Sequence, residues 1–346
     1  MTELDVTTAH RSAREVLGWS RAGLDPALRA AVDRLPDSMR GIAGYHLGWW
    51  DEHGHPTGAD PGKAVRPALV LLSAQAVGGT ATAALPASVA VELVHNFSLL
   101  HDDVMDGDAT RRHRPTAWTV YGVNAAILAG DALLTLALDV LASSGHPSAA
   151  HAIRVLTAAT QRLNDGQAAD LAFEERGDVQ LGECVRMAQN KTAGLIGASC
   201  ALGALFGGGT AEQVEQLRLF GEHVGLAFQF TDDLLGIWGD PAVTGKPVYS
   251  DLHNRKKSLP VVAALNSDTA AARELDDLYH TEGQLSAAEL ARAAALIEAS
   301  GAREWSLGRA EALLAQARTH LRAAEPTELA ERELDAVASL ATRRDR

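Results

Sequence analysis

VELVHNFSLLHDDVMDGD, residues 91–108, is the stretch of this 346-residue chain that decides both its fold and its chemistry. Apolar residues recur at helical steps of three and four and lead directly into Asp102, Asp103 and Asp106. A helix turns by about 100° per residue, so Asp102 and Asp106 share one face while Asp103 points partly to the side. Carboxylates in an apolar segment are costly unless positive charge compensates them. The stretch therefore predicts a helix that carries a divalent cation site.

A second acidic cluster of the same shape lies far along the chain, in GLAFQFTDDLLGIWGD at residues 225–240. Asp232 and Asp233 again interrupt an apolar helical pattern. Paired carboxylates suit Mg²⁺, which prefers oxygen ligands, keeps several waters and is completed by substrate phosphates. The alternative is that such aspartates are solvated or cap a turn. That alternative would compete seriously for one isolated cluster, and the repetition makes it the weaker interpretation.

The bulk composition limits the possible functions. A net charge of −13 argues against a general nucleic-acid binder, so an anionic substrate would need a local basic patch. Cys184 and Cys200 show neither metal spacing nor a disulfide framework, and the N-terminus has no signal-peptide pattern. We expect a cytoplasmic protein without a transmembrane segment, because aspartates interrupt the longest apolar run, residues 125–142.

The rest of the chain has the same helical periodicity, and Gly/Pro-rich breakers separate the periodic segments. The apolar fraction of 47% suits a globular protein with a sizeable core. No repeat, linker or shift in composition marks a boundary. The sequence therefore predicts an all-α, single-domain bundle of roughly a dozen helices over residues 1–346, with no sheet. We expect residues 1–10 and 341–346 to fray.

Cations accompany both acidic clusters. Lys63 and Arg66 open a helix after a Pro/Gly loop, Arg111-Arg112 follows the first cluster, and the second is followed by basic residues between 246 and 257. One such group is usually a solvated face. Carboxylate-bound Mg²⁺ together with the fork of Arg and the point charge of Lys is, however, how a protein binds a diphosphate. The chain has no P-loop, G-x-S-x-G or H-E-x-x-H motif, so the nucleotide-hydrolase, serine-hydrolase and zinc-protease classes have no support.

These motifs resemble those of the trans-isoprenyl diphosphate synthase (polyprenyl synthetase) family, and the likeness is strongest to its geranylgeranyl diphosphate synthases. The resemblance extends from about residue 63 to 260, with the motifs in family order. In this sequence they read GKAVRP (62–67), LLHDDVMD (99–106), TRRHRPT (110–116), GDALL (130–134), DGQAADL (165–171), NKTAGL (190–195), FQFTDDLLGIWGD (228–240) and GKPVYSDLHNRKKSLP (245–260).

The resemblance implies the isoprenoid synthase fold, a helical bundle around a deep central cavity, in a homodimer. It also implies head-to-tail condensation of isopentenyl diphosphate with an allylic diphosphate, with Mg²⁺ as cofactor. Carried over position by position, Asp102 and Asp106 would hold two Mg²⁺ ions and Asp232 a third. Asp103 and Asp233 would support them in second rank.

The resemblance assigns the remaining site residues to two diphosphates. Those expected at the allylic diphosphate are Lys191, Thr192, Gln229, Lys246, Lys256 and Arg111. Those expected at isopentenyl diphosphate are Lys63, Arg66, His95 and Arg112. Among all of them, Lys191, Lys246 and Arg111 are the candidate catalytic residues, because fixed cations stabilise charge on a leaving diphosphate. His101, next to Asp102, has two interpretations, a metal ligand or a packing residue.

Two positions bear on the rate and the product. The family's second motif usually ends in a third aspartate, and this chain has Gly236 there. Either the third metal site is modestly weakened, which we favour, or turnover is slow or the substrate differs. Phe97 and Ser98 lie five and four residues before Asp102. A bulky ring beside a small neighbour resembles the cavity floor of archaeal-type geranylgeranyl diphosphate synthases and predicts a twenty-carbon product, although ordinary core packing also explains Phe97.

Several other functions stay open from the sequence. A farnesyl diphosphate synthase differs only in product length. A class I terpene cyclase shares the fold and the first motif, but the string beginning at Asn164-Asp165 lacks the Ser and Glu of the cyclase metal motif. A catalytically weak partner subunit would account for Gly236. The acidic N-terminal segment is either a solvated cap or a docking site for a downstream terpenoid enzyme.

Overall fold

Helices form 76% of the structure, which confirms the all-α prediction. The computed structural model describes residues 4, 10–59, 62–240, 248–280 and 283–342. In chain order its helices are α1 (Ala13–Val32), α2 (Asp37–His46), α3 (Val65–Ala76), α4 (Ala81–Met105), α5 (Ala117–Tyr121), α6 (Val123–Ala142), α7 (Ala149–Glu174), α8 (Leu181–Ala188), a π-helical segment (Gln189–Ala193), α9 (Gly194–Phe206), α10 (Ala211–Trp238), α11 (Ser250–His253), α12 (Leu259–Leu265), α13 (Ala270–Tyr279), α14 (Ala287–Ala299), α15 (Ala302–Ala323) and α16 (Glu328–Thr342).

A short antiparallel hairpin, β1 (Thr110–Arg111) and β2 (Arg114–Pro115), corrects the expectation of no sheet. The two-residue turn between the strands consists of Arg112 and His113, with φ of 51° and 61°. A type I′ turn requires positive φ at both central positions, which non-glycine residues adopt only with strain. Strands of two residues have no alternating pattern, so the sequence gives no signal for them.

Contacts divide the chain into two compact units. Unit 1 comprises Met1–Thr160, Leu195–Gly221 and His320–Val337, and unit 2 comprises Gln161–Gly194, Glu222–Thr319 and Ala338–Arg346. The single-domain interpretation of the sequence stays a prediction, as does the deep central cavity. The first acidic motif belongs to unit 1 and the second to unit 2.

Helix α4 is the core helix of unit 1 and packs against α3 and α6. Leu93 and Leu100 on α4 and Leu133 on α6 are at most 1% exposed. Helices α4 and α6 are both long and apolar enough to cross a membrane by length and composition alone. The apolar window of α4 is 72% buried, as in the core helix of a globular protein, whereas that of α6 is only 39% buried.

The C-terminal half of α10 crosses two hydrophobic clusters in unit 2. Phe230 lies in one, with Met187 of α8 and Leu259 of α12, and Ile237 lies in the other, with Leu275 of α13. Both of these α10 side chains are at most 1% exposed. Burial on either side of residues 232–233 fixes the second acidic motif on a rigid helix.

In unit 1, α9 approaches α3 so closely that only glycine fits at position 203. A Cβ on Gly203 would collide with the Val70 carbonyl oxygen and lie 2.8 Å from the Cβ of Ser73. All three residues are buried. Backbone atoms cannot move aside as a side chain can, so this contact sets the distance between α9 and α3 in a densely packed region.

We predict that Gly203→Ala lowers the free energy of unfolding by about 1–3 kcal/mol, the usual cost of overpacking. Gly308→Ala is the matched control, because nothing lies within 4 Å of a Cβ at that position of α15. The control should be stabilised by up to about 1 kcal/mol through helix propensity. Urea denaturation measures both variants, and equal effects would contradict the packing account.

Candidate active site

The first acidic motif lies at the C-terminal end of α4, which ends at Met105. Asp106 is the C-cap residue rather than an internal helical residue, but its φ of −84° and ψ of −7° remain close to helical. Its N–H donates to the Asp102 carbonyl oxygen at 2.8 Å, so the one-turn spacing predicted for the two aspartates is kept. Asp102 is half-buried and Asp106 is exposed. The negative end of the helix dipole adds to their attraction for a cation.

Asp103 has a different environment from its two neighbours. It is 1% exposed, and its Oδ1 accepts a hydrogen bond from Arg111 Nε at 2.7 Å. Burial raises the pKa of Asp103 to about 6, although the charge of Arg111 acts in the opposite direction. Its Oδ2 is buried and accepts no hydrogen bond. In this structure Arg111 therefore compensates a buried carboxylate, a role beyond the substrate contact expected from the sequence.

His101 packs against α6. Its Nε2 lies 3.0 Å from the Ile127 carbonyl oxygen, and its ring occupies the space that a Cβ on Gly130 would need. The ring of Phe97, one turn earlier, meets the His101 ring edge-on with centroids 4.8 Å apart. Of the two interpretations of His101, the geometry favours packing. Phe97 and His101 together fill the space between α4 and α6 just before the first motif.

Arg66 of α3 and His95 of α4 form a basic cluster. Arg66 Nη1 is 3.3 Å from His95 Nε2. Burial lowers the pKa of His95 well below its ordinary value, and the charge of Arg66 lowers it further, so the imidazole is neutral and accepts from the guanidinium. Burial also lowers the pKa of Arg66 to about 10, which the nearby Glu92 partly offsets. The structure thus brings together two of the four residues predicted for isopentenyl diphosphate.

The other two residues of that set adjoin the loop before α3. The guanidinium of Arg112 packs on Gly62, where a Cβ would lie 2.7 Å from its Cζ. Gly62 has φ of 87° and Ala64 has φ of 48°, so the loop turns sharply on either side of Lys63. Lys63 itself is exposed. Glycine at 62 is therefore required both by its backbone conformation and by the closeness of Arg112.

A small cleft in unit 1 opens to solvent beside the residues that follow the first acidic motif. Three arginines and one histidine line part of its wall, and the one acidic residue there is already paired to Arg111. The wall includes His46, Asp103, Arg111, Arg112 and Arg114. Burial, reinforced by the neighbouring arginines, lowers the pKa of His46 to about 3. Such an excess of positive charge favours a multiply charged anion.

In unit 2, Lys191 lies in the π-helical segment. Its Nζ forms a 2.6 Å ion pair with Asp170 Oδ2. Gly166 fits against the backbone of Lys191, because a Cβ there would lie 2.8 Å from the Lys191 Cα. The DGQAADL and NKTAGL motifs are therefore one structural unit. A π-bulge often marks a functional site, but no sequence pattern predicts it.

A chain of hydrogen bonds continues from the π-helical segment to α10 and α12. Thr192 Oγ1 donates to Gln229 Oε1 at 2.6 Å, and Gln229 Nε2 donates to Asp233 Oδ1 at 2.7 Å. The backbone N–H of Leu259 donates to Asp233 Oδ2 at 2.8 Å. Burial raises the pKa of Asp233 to about 7. Asp233 thus anchors this chain, whereas Asp232, the residue predicted to bind metal, is only half-buried.

Lys256 interacts with most of the acidic side chains around the second motif. Burial lowers the pKa of its ammonium group, but four surrounding carboxylates more than offset this and raise that pKa above its ordinary value. They are Asp170, Asp233, Asp251 and Asp232. Lys246, the other lysine of the predicted loop, lies outside the described residues.

Oxygen donors at both motifs fit a hard divalent cation. Within residues 10–59, 62–240, 248–280 and 283–342, no three carboxylate, imidazole or thiol groups form a ready-made metal cluster. Two carboxylates per site are nevertheless what Mg²⁺ uses when a substrate phosphate and water complete its coordination. Asp102 with Asp106 therefore suits Mg²⁺, and Asp232 suits a further ion.

The chain matches the Polyprenyl synthetase family over residues 50–297 and belongs to that family. It is 50% identical over 299 residues to a (2E,6E)-farnesyl diphosphate synthase of Mycobacterium tuberculosis. The matched region covers 86% of this chain and 83% of the relative. It is also 48% identical over 289 residues to a geranylgeranyl diphosphate synthase of the same organism, and this match covers 83% of each chain.

The fold is similar to the crystal structure of a polyprenyl synthetase from Streptomyces coelicolor A3(2). The TM-score is 0.92 and the identity 46%, over 95% of this chain and 99% of that one. Family members use Mg²⁺, and solved relatives include complexes with calcium or magnesium and isoprenyl diphosphate. The protein is an enzyme, a trans-prenyl diphosphate synthase, and the isoprenoid synthase fold expected from the sequence is confirmed.

We predict that Arg111→Leu lowers the free energy of unfolding of the substrate-free enzyme by about 2–3 kcal/mol, because it leaves the buried Asp103 carboxylate uncompensated. The control is Arg292→Leu, which breaks an exposed ion pair with Glu274 and should cost less than about 1 kcal/mol. The double variant Arg111→Leu with Asp103→Asn should regain part of the lost free energy of unfolding, because it no longer buries an uncompensated charge. Unchanged stability in Arg111→Leu would mean that Arg111 serves the substrate alone.

Proposed function

We propose that this enzyme makes geranylgeranyl diphosphate by condensing isopentenyl diphosphate head-to-tail with an allylic diphosphate, with Mg²⁺ as cofactor. One observation carries the proposal: a single face of α4 holds both kinds of diphosphate-binding group. His95 and Asp102 are seven residues apart, nearly two full turns, so they share a face and are separated by about 10 Å along the axis. A neutral imidazole backed by Arg66 at one point and cation-binding carboxylates at the other suit two diphosphates brought close enough to react.

Isopentenyl diphosphate occupies the basic side in this proposal. Arg66 and Arg112 supply flat guanidinium forks, Lys63 adds a mobile charge, and neutral His95 offers a ring nitrogen. The cluster is costly in the empty protein, because burial already lowers the pKa values of Arg66 and His95. A bound dianion would relieve that cost, so the cluster is suited to an anion before substrate arrives.

The allylic diphosphate lies on the acidic side in this proposal. Asp102, Asp106 and Asp232 would hold Mg²⁺, three ions in all, and the magnesium would neutralise the diphosphate and favour its departure. The cations that would contact this diphosphate directly are Arg111, Lys191, Lys246 and Lys256. Thr192 and Gln229, already bonded to each other at 2.6 Å, would present their remaining hydrogen-bonding atoms.

In the reaction, the C1–O bond of the allylic diphosphate breaks and its electron pair leaves with the diphosphate. The double bond of isopentenyl diphosphate attacks C1, and a proton is then lost to the released diphosphate. The fixed ammonium and guanidinium groups stabilise the charge that develops on the leaving group. Apolar walls keep water from trapping the allylic cation. No nucleophilic side chain is needed, and Cys184 and Cys200 are both buried.

The twenty-carbon product rests on Phe97. This ring is 5% exposed and meets His101, which in turn reaches the backbone of α6. Ser98, one turn below Asp102 on the same face, is small, and its hydroxyl donates to the His95 carbonyl oxygen at 2.8 Å. The small residue lets a chain pass and the ring stops it further down. The M. tuberculosis relatives differ in product, so the farnesyl synthase at 50% identity makes a fifteen-carbon product the second candidate.

We further propose that the enzyme acts as a cytoplasmic homodimer. Val123, Ile127 and Leu128 on α6 are 43%, 37% and 56% exposed, an apolar face that a second copy would cover. The expected docking of a downstream terpenoid enzyme falls on the N-terminal segment, of which residues 1–3 and 5–9 lie outside the described part.

We predict that purified enzyme with Mg²⁺, labelled isopentenyl diphosphate and farnesyl diphosphate yields labelled geranylgeranyl diphosphate. Asp102→Asn should lower kcat on the order of 10²–10³-fold, because a metal-held charge at the leaving group is lost. The control Asp108→Asn alters an exposed aspartate near the motif and should retain activity. Hydrocarbon without isopentenyl uptake would support a cyclase instead, and no turnover would support a partner subunit.

We predict that Phe97→Ala lengthens the product beyond twenty carbons, because the ring that closes the α4–α6 space is removed. Removal of a buried ring costs about 3–5 kcal/mol, so Phe97→Leu serves as a milder variant with a smaller shift in the same direction. Phe220→Leu, at a fully buried site elsewhere in unit 1, controls for stability. An unchanged product distribution by chromatography in both Phe97 variants would place the floor elsewhere.

A further inference from the structure

The side chain that is missing from the second acidic motif leaves a space, and another carboxylate fills it. A Cβ built on Gly236 would lie 2.6 Å from Asp251 Oδ1 and closer still to Oδ2. Gly236 therefore has no room for any side chain while Asp251 keeps this position. The motif has no aspartate at position 236, but the carboxylate of Asp251, fifteen residues later, lies at that position in the structure.

The Asp251 carboxylate lies on the face of α10 that carries Asp232. Asp232 and Gly236 are four residues apart on α10, so their side-chain positions are neighbours on one face, about 5–6 Å apart. Asp251 places its oxygens where a residue 236 side chain would begin. Asp232 of α10 and Asp251 of α11 thus offer two carboxylates at the second motif, as Asp102 and Asp106 do at the first.

Three hydrogen bonds hold Asp251 in this position. Ser250 Oγ donates to the Gly236 carbonyl oxygen at 3.2 Å, and the Tyr249 N–H donates to the Ile237 carbonyl oxygen at 3.3 Å. The Lys256 N–H donates to the Asp251 carbonyl oxygen at 2.9 Å. Tyr249 has φ of 63°, a strained value for a bulky residue, immediately before α11. Residues 249–250 are therefore hydrogen-bonded to α10 at Gly236 and Ile237, and Gly236 is the residue where the motif differs from the family pattern.

Asp251 also lies close to the charged groups of the second motif. Asp251 and Asp232 both act electrostatically on the ammonium of Lys256, together with Asp170 and Asp233. The Asp251 carboxylate therefore belongs to the same group of charges as Asp232, the residue predicted to bind metal.

We propose that Asp251 is a metal-binding carboxylate of the second site and takes over the position that the family's third aspartate would occupy at residue 236. The proposal rests on the proposed function, in which Asp232 binds Mg²⁺ with a diphosphate. It replaces the simpler expectation that Gly236 weakens the site. It also predicts that Gly236→Asp alone weakens Mg²⁺-dependent binding, because the added side chain displaces the Asp251 carboxylate.

The test measures binding of inorganic diphosphate by isothermal titration calorimetry, without metal and over a series of fixed Mg²⁺ concentrations. In Asp251→Asn, the Mg²⁺-dependent affinity should fall about tenfold, the usual scale for loss of a group that supports a metal. The metal-free affinity should stay equal or rise, because one repelling charge is gone. A purely structural role would weaken both affinities, and that result would overturn the proposal.

Gly236→Ala provides an independent variant, because its methyl group displaces the Asp251 carboxylate without changing any charge. It should reproduce the Mg²⁺-dependent loss of Asp251→Asn. The double variant Gly236→Asp with Asp251→Ala, which clears the space and returns one carboxylate to the site, should recover Mg²⁺-dependent binding to within about threefold of wild type. Failure of Gly236→Ala to weaken Mg²⁺-dependent binding would overturn the proposal.

Asp268→Asn is the matched control, since this aspartate is fully exposed in unit 2 and should leave both affinities unchanged. Product formation by the wild-type enzyme tests the proposed function separately. Wild-type turnover with undiminished Mg²⁺-dependent binding in Asp251→Asn would overturn the role of Asp251 alone. If Asp251→Asn loses only the Mg²⁺-dependent affinity but the wild-type enzyme forms no prenyl diphosphate, the proposed function is overturned and the metal site is supported.

Discussion

A charge placed in a helical core must be compensated, and this constraint governs both acidic motifs of the enzyme. Asp103 is buried and compensated by Arg111, while Asp102 and Asp106 remain accessible at the end of α4. In unit 2, Asp233 is buried and satisfied by Gln229 and the Leu259 N–H. In each Asp-Asp pair, one aspartate is buried and hydrogen-bonded, and we propose that the other binds a cation. Such a division explains why the pair is adjacent in sequence.

The same constraint acts in reverse on the basic cluster. Burial lowers the pKa values of Arg66 and His95, and the neighbouring arginines lower that of His95 further, while Glu92 only partly offsets the effect on Arg66. A protein that keeps such a cluster gives up some stability in the empty state. In the proposed function, a bound diphosphate restores the balance. His95 and Asp102 share one face of α4, so the proposal has one rigid helix position both substrates.

Most of the fold follows from the sequence because helical periodicity is a local property. The apolar spacing around Asp102 predicts α4, and Gly/Pro-rich segments mark its neighbours. The hairpin at 110–115 and the π-helical segment at Gln189–Ala193 were not predictable, since two-residue strands and a single widened turn have no periodic signal. The division into two compact units also has no mark in composition.

The candidate site was predictable where spacing within one helix determines it, as for Asp102 and Asp106. Residues that act through tertiary contacts were missed. Asp170 and Gly166 become meaningful only when Lys191 lies against them, and Asp251 only when its carboxylate fills the space at Gly236. A glycine in place of a motif aspartate looked like a loss in sequence. The structure shows that the same glycine makes room for another carboxylate.

We propose that the aspartates of both motifs bind metal ions that share one allylic diphosphate. The most direct measurement is a crystal structure with Mn²⁺ and a non-cleavable allylic thiodiphosphate, with manganese located by anomalous scattering. We predict manganese peaks bound by Asp102, Asp106 and Asp232 around one diphosphate group. Manganese at only one motif, or a diphosphate bound away from both, would contradict it.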